Sequence, residues 1–298
     1  MKPLHLAAGI LMAFVWGIQL VAVKLGASEL PPLLMVGLRF TLIALLLVPL
    51  ARLPPAGALR TVVLIATFSG GLHFALVYLA IDRLDAATGA ICYQLGTPIT
   101  VLVAWAWLGD RMTPLAIAGM AVAFSGVLLL IGMPGGHVDH TGVGLMLLAV
   151  LAFAVGTALT KKHGPFHPTG LNAWTAVVAA PQILLVSAFV EHGQVAAVQQ
   201  ASWVAWGAVV YTALSGGILG FSLWYWLLGK YPVSRVVPFT LLAPVFSILG
   251  GMLVLGERPG LGVWLGGALV LGGVGIVQAA GSRHRAVPAA TGEARSRA

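Results

Sequence analysis

The segment YLAIDRLDA at 78–86, with LGTP at 95–98 and WLGDRMTP at 107–114, recurs in looser form as YWLLGKYPV at 225–233, LLAP at 241–244 and VLGERP at 254–259. Pro98 maps onto Pro244 at an offset of 146, while Asp110 maps onto Glu257, Gly119 onto Gly266 and Gly126 onto Gly273 at 147, so one insertion separates the two offsets. A weaker match joins AFVWG at 13–17 to AFAVG at 152–156, which places the start of each copy at its first apolar run. The chain is therefore read as two tandem copies of one unit.

What surrounds these matches is almost wholly apolar. Of 298 residues 59% are hydrophobic and 8% charged, against about 25% charged in a soluble domain. So few charges cannot cover a water-facing surface, and the 38 glycines suit helices that approach closely in lipid. A hydrocarbon core about 30 Å thick takes roughly 20 apolar residues per helix. Ten spans follow, at 5–24, 33–51, 61–81, 86–108, 114–132, 142–160, 171–190, 203–229, 233–255 and 260–280, punctuated by Pro, Gly and charged residues. The first is read as a retained helix, because no cleavage signature leads into a soluble domain.

Five spans per copy is an odd number, so the second copy enters the membrane from the other side. The expected fold is all-α and integral to the membrane: ten transmembrane helices as two inverted five-helix repeats, residues 5–132 and 142–280, followed by a disordered cytoplasmic tail at 281–298. With a cytoplasmic N-terminus, twelve of the sixteen Lys and Arg fall inside, Lys24, Arg83 and Arg258 fall outside, and Arg39 lies within a span. That bias puts both termini in the cytoplasm of a multi-pass protein of the cell (inner or plasma) membrane. It also accounts for the net charge of +8 without a nucleic-acid partner.

The repeated pattern resembles the drug/metabolite transporter superfamily, in its ten-helix EamA-type branch. An aromatic near the end of the third helix of each copy, an Ala-rich start to the fourth, a mid-helix Pro and an acidic residue after Leu-Gly fall on Tyr78, Ala86, Ala90, Pro98 and Asp110, and again on Tyr225, Pro244 and Glu257. Asp110 stands where Glu is more usual. The resemblance covers about residues 5–280. It implies export of small metabolites, most readily amino acids, with the aromatic amino acid exporters as the favoured branch, by alternating access. Broad drug or nucleotide-type efflux is the alternative within transporters.

Ionisable groups inside a membrane cost about 2.5–3.5 kcal/mol at a helix centre on insertion scales. Arg39 and His73 are the two clear cases, roughly 9 and 12 Å below the outer ends of their helices at about 1.5 Å per residue. They are expected to flank one cavity, Arg39 pairing with a substrate carboxylate and His73 supplying a hydrogen bond; for Arg39, capping of neighbouring carbonyls is the structural alternative. Trp16, Gln19, Tyr78, Tyr93, Gln94, Trp174, Trp224 and Tyr225 complete the candidate substrate-binding set, as rings to stack on a flat solute and amides to orient it. Phe74 belongs to the same layer. Pro98 and Pro244 each remove a helical hydrogen bond and mark a kink or hinge. Gly216-x3-Gly220 and Gly262-x3-Gly266 mark close helix contacts or the face of a possible homodimer.

The eight carboxylates all fall in loops, span ends or the tail, so facilitated export is the first mechanistic reading and proton exchange through His73 the second. Gly216-Gly217 lacks the following Lys-Ser or Lys-Thr of a phosphate loop. No cofactor is expected, no catalytic residue and no metal site; Cys92 is a lone cysteine. A membrane-embedded enzyme would need a reactive cluster, and the nearest, Lys161, Lys162, His163 and His167, is explained by orientation. The partners expected are a small-molecule substrate and the lipid bilayer.

Overall fold

A computed structural model describes residues 1–51, 54, 57–110, 112–132, 138–164, 166–228, 230–231 and 236–285. The described chain is helical from end to end. Helices α1 (Pro3–Ala27), α2 (Pro32–Leu47, prolonged by a 3-10 turn to Leu50), α3 (Leu59–Arg83), α4 (Ala86–Leu108) and α5 (Pro114–Gly132) are followed by α6 (His140–His163), α7 (Pro168–Val190), α8 (Trp203–Leu228), α9 (Ala243–Val254, entered through a 3-10 turn Val237–Leu242) and α10 (Leu261–Arg285). Among the described residues nine helices are long and apolar enough to cross a membrane, and Pro238–Val254 is a shorter apolar helix. The expected span 233–255 is thus shorter where it is described.

Local chemistry sets the ends. Pro3, Pro32 and Pro168 stand in the first turn of their helices, where a missing N–H costs nothing. Gly109 closes α4 in the left-handed region at φ 71°, a conformation that favours glycine. Two features depart from expectation. A short helix, Gln194–Gln200, occupies a stretch expected as loop. The last helix continues to Arg285, so residues 281–285 are helical rather than part of a disordered tail; no proline interrupts the chain before Pro288. The rest of the expected tail, 286–298, lies outside the described residues.

Two helices carry a π segment, Thr67–Leu72 in α3 and Thr212–Gly220 in α8. Both hold the same tripeptide, Ser69-Gly70-Gly71 and Ser215-Gly216-Gly217, at the offset of 146 that relates the two prolines. A π turn takes carbonyls out of regular helical register, and neighbours reach in: Trp16 Nε1 donates to Gly216 O at 3.2 Å and Asn172 Nδ2 to Gly217 O at 3.4 Å. The bare glycines admit those side chains, Gln19 lying against Gly216 and Trp16 against Gly220.

Packing follows an exchange pattern. Helix α5 lies along α10, and α2 along α7; α1 packs on α9 and α8, while α6 packs on α4 and α3. In the α5–α10 pair an added Cβ at Gly119 would lie 2.8 Å from Gly273 O, and one at Gly126 2.7 Å from Gly266 O. Repeat-equivalent glycines are thereby paired crosswise. Gly216, Gly220 and Gly266 are all used in contacts within the chain.

One face of the bundle is tied by carboxylates on helix N-termini. Glu257 accepts from Ala86 N at 2.8 Å, at the start of α4. Glu191 accepts from Leu33 N and Leu34 N at 2.7 and 2.9 Å, at the start of α2. Glu29 accepts from Ser202 N and Ser202 Oγ at 2.7 Å, at the start of α8, and Asp139 from Gly142 N at 2.9 Å in α6. Each carboxylate meets unpaired N–H groups at the positive end of a helix dipole. The Ser202 bonds lower the pKa of Glu29 from 4.5. The same face carries Lys24, whose Nζ donates to Leu84 O and lies 4.0 Å from Asp85. Asp110 instead pairs with Lys161 at the other face.

Candidate functional site

Seven helices, α1–α4, α6, α8 and the α9 segment with its 3-10 turn, surround a cavity of about 450 Å³, within the range of about 300–1,000 Å³ typical of small-molecule sites. It begins at the level of Val77 and Ala90, beneath the carboxylate face, and extends away from that face to Trp224 and Thr240. Helices α5, α7 and α10 contribute no lining residue among those described.

The kinked helices form one wall. Pro98 has no N–H to give Gln94 O, and α4 divides there into Ala86–Tyr93 and Gly96–Leu108. Pro244 similarly cannot bond Thr240 O, four residues earlier. Gln94 Nε2 donates to Thr240 O at 2.9 Å, so a side chain of α4 adds a second donor to a carbonyl that already accepts from Ala243 N in the 3-10 turn. Residues 94 and 240 are themselves repeat mates, and this bond joins the two kinks across the cavity.

Opposite lies a polar pair in an aromatic setting. His73 Nδ1 is 2.8 Å from Ala149 O. A carbonyl only accepts, so Nδ1 carries the proton, and in the neutral ring Nε2 accepts from the Tyr93 hydroxyl at 3.2 Å. The imidazole is fully buried between Phe74, Phe153 and Tyr93, with ring centroids at 4.6, 5.0 and 5.7 Å. Arg39, 1% exposed, stacks over Phe74 with Cζ 4.3 Å from the ring centroid. Its Nε and Nη1 find no acceptor among the described residues. Trp16 forms the third corner with Phe221 and Trp224, at 5.5 and 5.9 Å.

Of the residues expected from sequence, Trp16, Gln19, Arg39, His73, Tyr93, Gln94 and Trp224 line this one cavity, with Pro244 and Phe74. Arg39 and His73 both line it. Tyr78 does not line it: the ring is fully buried and its hydroxyl has no partner among the described residues. Trp174 is on α7, outside the wall, and the side chain of Tyr225 lies outside the described structure. Pro98 is buried beside the cavity in α4. Phe153, Phe221 and Thr240 were not expected. Phe153, inside the repeated AFAVG, and Phe221 carry no polar group that would mark them in an apolar span, and the signal for Thr240 was its offset of 146 from Gln94. Among the described residues no group of three or more His, Cys, Asp or Glu is placed to hold a metal.

The lining supplies a largely apolar interior, one cation, two amides and an oriented imidazole, the composition of a small-molecule binding site. Comparisons with known proteins agree with this. The model of the EamA-like transporter family matches residues 4–132 and again 140–278. A protein of Escherichia coli (strain K12) named "Probable amino-acid metabolite efflux pump" is 31% identical over 283 residues, covering 90% of this chain and 92% of that protein. A "Probable terminal-alkyne amino-acid exporter" of Streptantibioticus cattleyicolor is 27% identical over 197 residues, 65% of each chain. One crystal structure at 19% identity superposes with a TM-score of 0.61 over 95% of this chain and 99% of its own, which establishes a shared fold.

Proposed function

Because the chain belongs to the EamA-like transporter family, as a multi-pass protein of the cell membrane that moves metabolites, we propose that it exports amino acids, aromatic ones preferentially, by facilitated alternating access. The observation that carries this is the cavity: Trp16, Phe74, Phe153, Phe221 and Trp224 surround Arg39, His73, Gln19 and Gln94. Stacked rings fit a flat side chain, and the polar group fits an amino-acid head. The names of the Escherichia coli and Streptantibioticus relatives support amino-acid-derived cargo.

The architecture of the proposal is ten transmembrane helices in two inverted repeats, 5–132 and 142–280, with both termini cytoplasmic. The family model matching twice in series supports it. So does the exchange in packing: where residue i of one copy meets j of the other and j meets i, as Gly119 with Gly273 and Gly126 with Gly266, a two-fold relation is the simplest cause. In this orientation the carboxylate face is external and tied shut, and the cavity extends toward the cytoplasm, as suits loading of an export substrate. Trp16, Gln19, Arg39, His73, Tyr93, Gln94 and Trp224 are the proposed substrate contacts, with Pro98 and Pro244 shaping the two helices that would move.

The test is flux of labelled tryptophan, phenylalanine and a panel of other amino acids and nucleosides in proteoliposomes, with and without a pH gradient. Saturable aromatic flux indifferent to the gradient is expected. Flux that requires the gradient would transfer the mechanism to His73-linked proton exchange, and absence of amino-acid flux would overturn the substrate assignment.

A further inference from the structure

Arg39 is the one lining residue with a permanent charge, and no carboxylate lines the cavity among the described residues. None of the three ion pairs of the described chain involves it. The guanidinium is held by its face, over Phe74 at 4.3 Å and beside Phe40 at 5.3 Å, so the attraction of ring to cation fixes its position without using its donors. Nε and Nη1, which carry three of the five N–H groups of the side chain, have no acceptor among the described residues. A buried guanidinium in this condition is costly unless an anion meets it. A structural Arg capping carbonyls would have those donors engaged.

We infer that Arg39 makes a free carboxylate the obligatory recognition group of this cavity, so that the protein takes neutral zwitterions and monoanionic carboxylates and refuses cationic amines. The inference rests on the transporter reading of the cavity and narrows it to a charge class. One cation balances one carboxylate, and guanidinium and carboxylate form charge-assisted hydrogen bonds of the stronger kind. The ammonium of a zwitterion is met by neutral groups only, the amide oxygens of Gln19 and Gln94 and the ring faces of Trp16 and Trp224. An amine without a carboxylate would add a second positive charge to a site that already carries one. A doubly charged phosphate would leave one negative charge unbalanced in the interior. Apolar shape then ranks the carboxylates, but the carboxylate comes first.

The experiment compares two matched sets of probes on the purified full-length protein in nanodiscs, read by ligand-induced thermal shift. One set is phenylalanine, 3-phenylpropionate, phenethylamine and phenylalanine methyl ester; the other is leucine, 4-methylpentanoate, isoamylamine and leucine methyl ester. In at least one set the two free acids are expected to bind at least about tenfold more tightly than the amine and the ester, as loss of a charge-assisted pair requires. In Arg39→Gln the acids should fall to the level of the ester, and Arg39→Lys should retain part of the preference. Amine or ester binding as tightly as the acid in the unaltered protein, failure of all four acids to bind, or a preference that survives Arg39→Gln would each overturn the inference. The unaltered protein alone decides the first two should the variants fail to fold. Binding without flux in proteoliposomes would sink the transport reading and leave this one standing; flux with no preference for the acid would do the reverse.

Discussion

The packing of α5 on α10 can be tested with single methyl groups. A Cβ at Gly126 would lie 2.7 Å from Gly266 O, 2.8 Å from Val270 N and 2.9 Å from Leu269 Cβ, whereas carbon contacts prefer about 3.5–4.0 Å. The obstructing atoms are largely backbone and cannot rotate away, so the helices must part locally by about 0.7 Å or more, enough to forfeit roughly a quarter to a half of each neighbouring contact. In lipid such a pair depends on that contact energy, because apolar burial between helices supplies no drive. The cost of overpacking is about 1–3 kcal/mol, set against a gain of roughly 1 kcal/mol for replacing a helical glycine by alanine. Where backbone obstructs, the cost sits near the upper end of that range, a net of about 2 kcal/mol per site, so Gly119→Ala combined with Gly126→Ala should lower the melting temperature by about 8–16 °C, at roughly 2–4 °C per kcal/mol. Gly272→Ala is the control: it sits in the same helix as Gly273 with nothing within 4 Å of the added carbon, and should be neutral or stabilising. The assay is thermal unfolding of the purified variants in one detergent, followed by loss of the monodisperse peak. A Gly119→Ala/Gly126→Ala protein that melts with Gly272→Ala would refute the packing argument.

Glu257→Ala should cost about 1–2 kcal/mol, because Ala86 N loses its acceptor at the head of α4, and Glu257→Gln should restore part of it; the same thermal assay reads both. The Ser202 bonds hold Glu29 below its ordinary pKa of 4.5, so they stabilise the protein above that pH and the effect is lost as the pH falls through the lowered value. Ser202→Ala should accordingly be less stable than the parent near neutrality, and in acid the gap should narrow to what the lost cap on Val204 N leaves; a gap independent of pH would contradict the assignment. Gln94→Leu removes one of two donors to Thr240 O, the other being Ala243 N; transport should fall severalfold at equal membrane abundance, with a melting loss equivalent to about 0.5–1.5 kcal/mol for the lost bond. Unchanged flux and melting would mean that this bond holds nothing together.

The membrane class, helix order and paired prolines were legible because each rests on composition or on short-range chemistry: a run of apolar residues has one solvent, and a proline lacks an N–H wherever it stands. The cavity was legible in part. Arg39 and His73 announce themselves by the cost of burying them. Tyr78 did not follow His73 into the wall because five residues turn a helix by about 500°, leaving it roughly 140° round from His73, whereas Val77 returns to nearly the same face. The twin Ser-Gly-Gly segments were present in the sequence, but small residues look alike whether they serve a turn, a helix contact or a π segment; the shared offset was the signal. The carboxylate ties were visible only as span-end acids, since their partners lie up to 173 positions away in the chain. The helix Gln194–Gln200 was missed because a seven-residue segment is too short to show a membrane span.

The bond from Gln94 to Thr240 has a further consequence. If the two copies trade roles when the carrier turns over, each contact of one state needs a counterpart in the other. Here the counterpart would run from the side chain of residue 240 to the carbonyl of residue 94. A threonine hydroxyl sits two bonds closer to its backbone than a glutamine amide nitrogen does, and it cannot span the same gap. On that reading the carrier would be a toggle weighted on one side, with an amide present in only one copy giving it a position of rest.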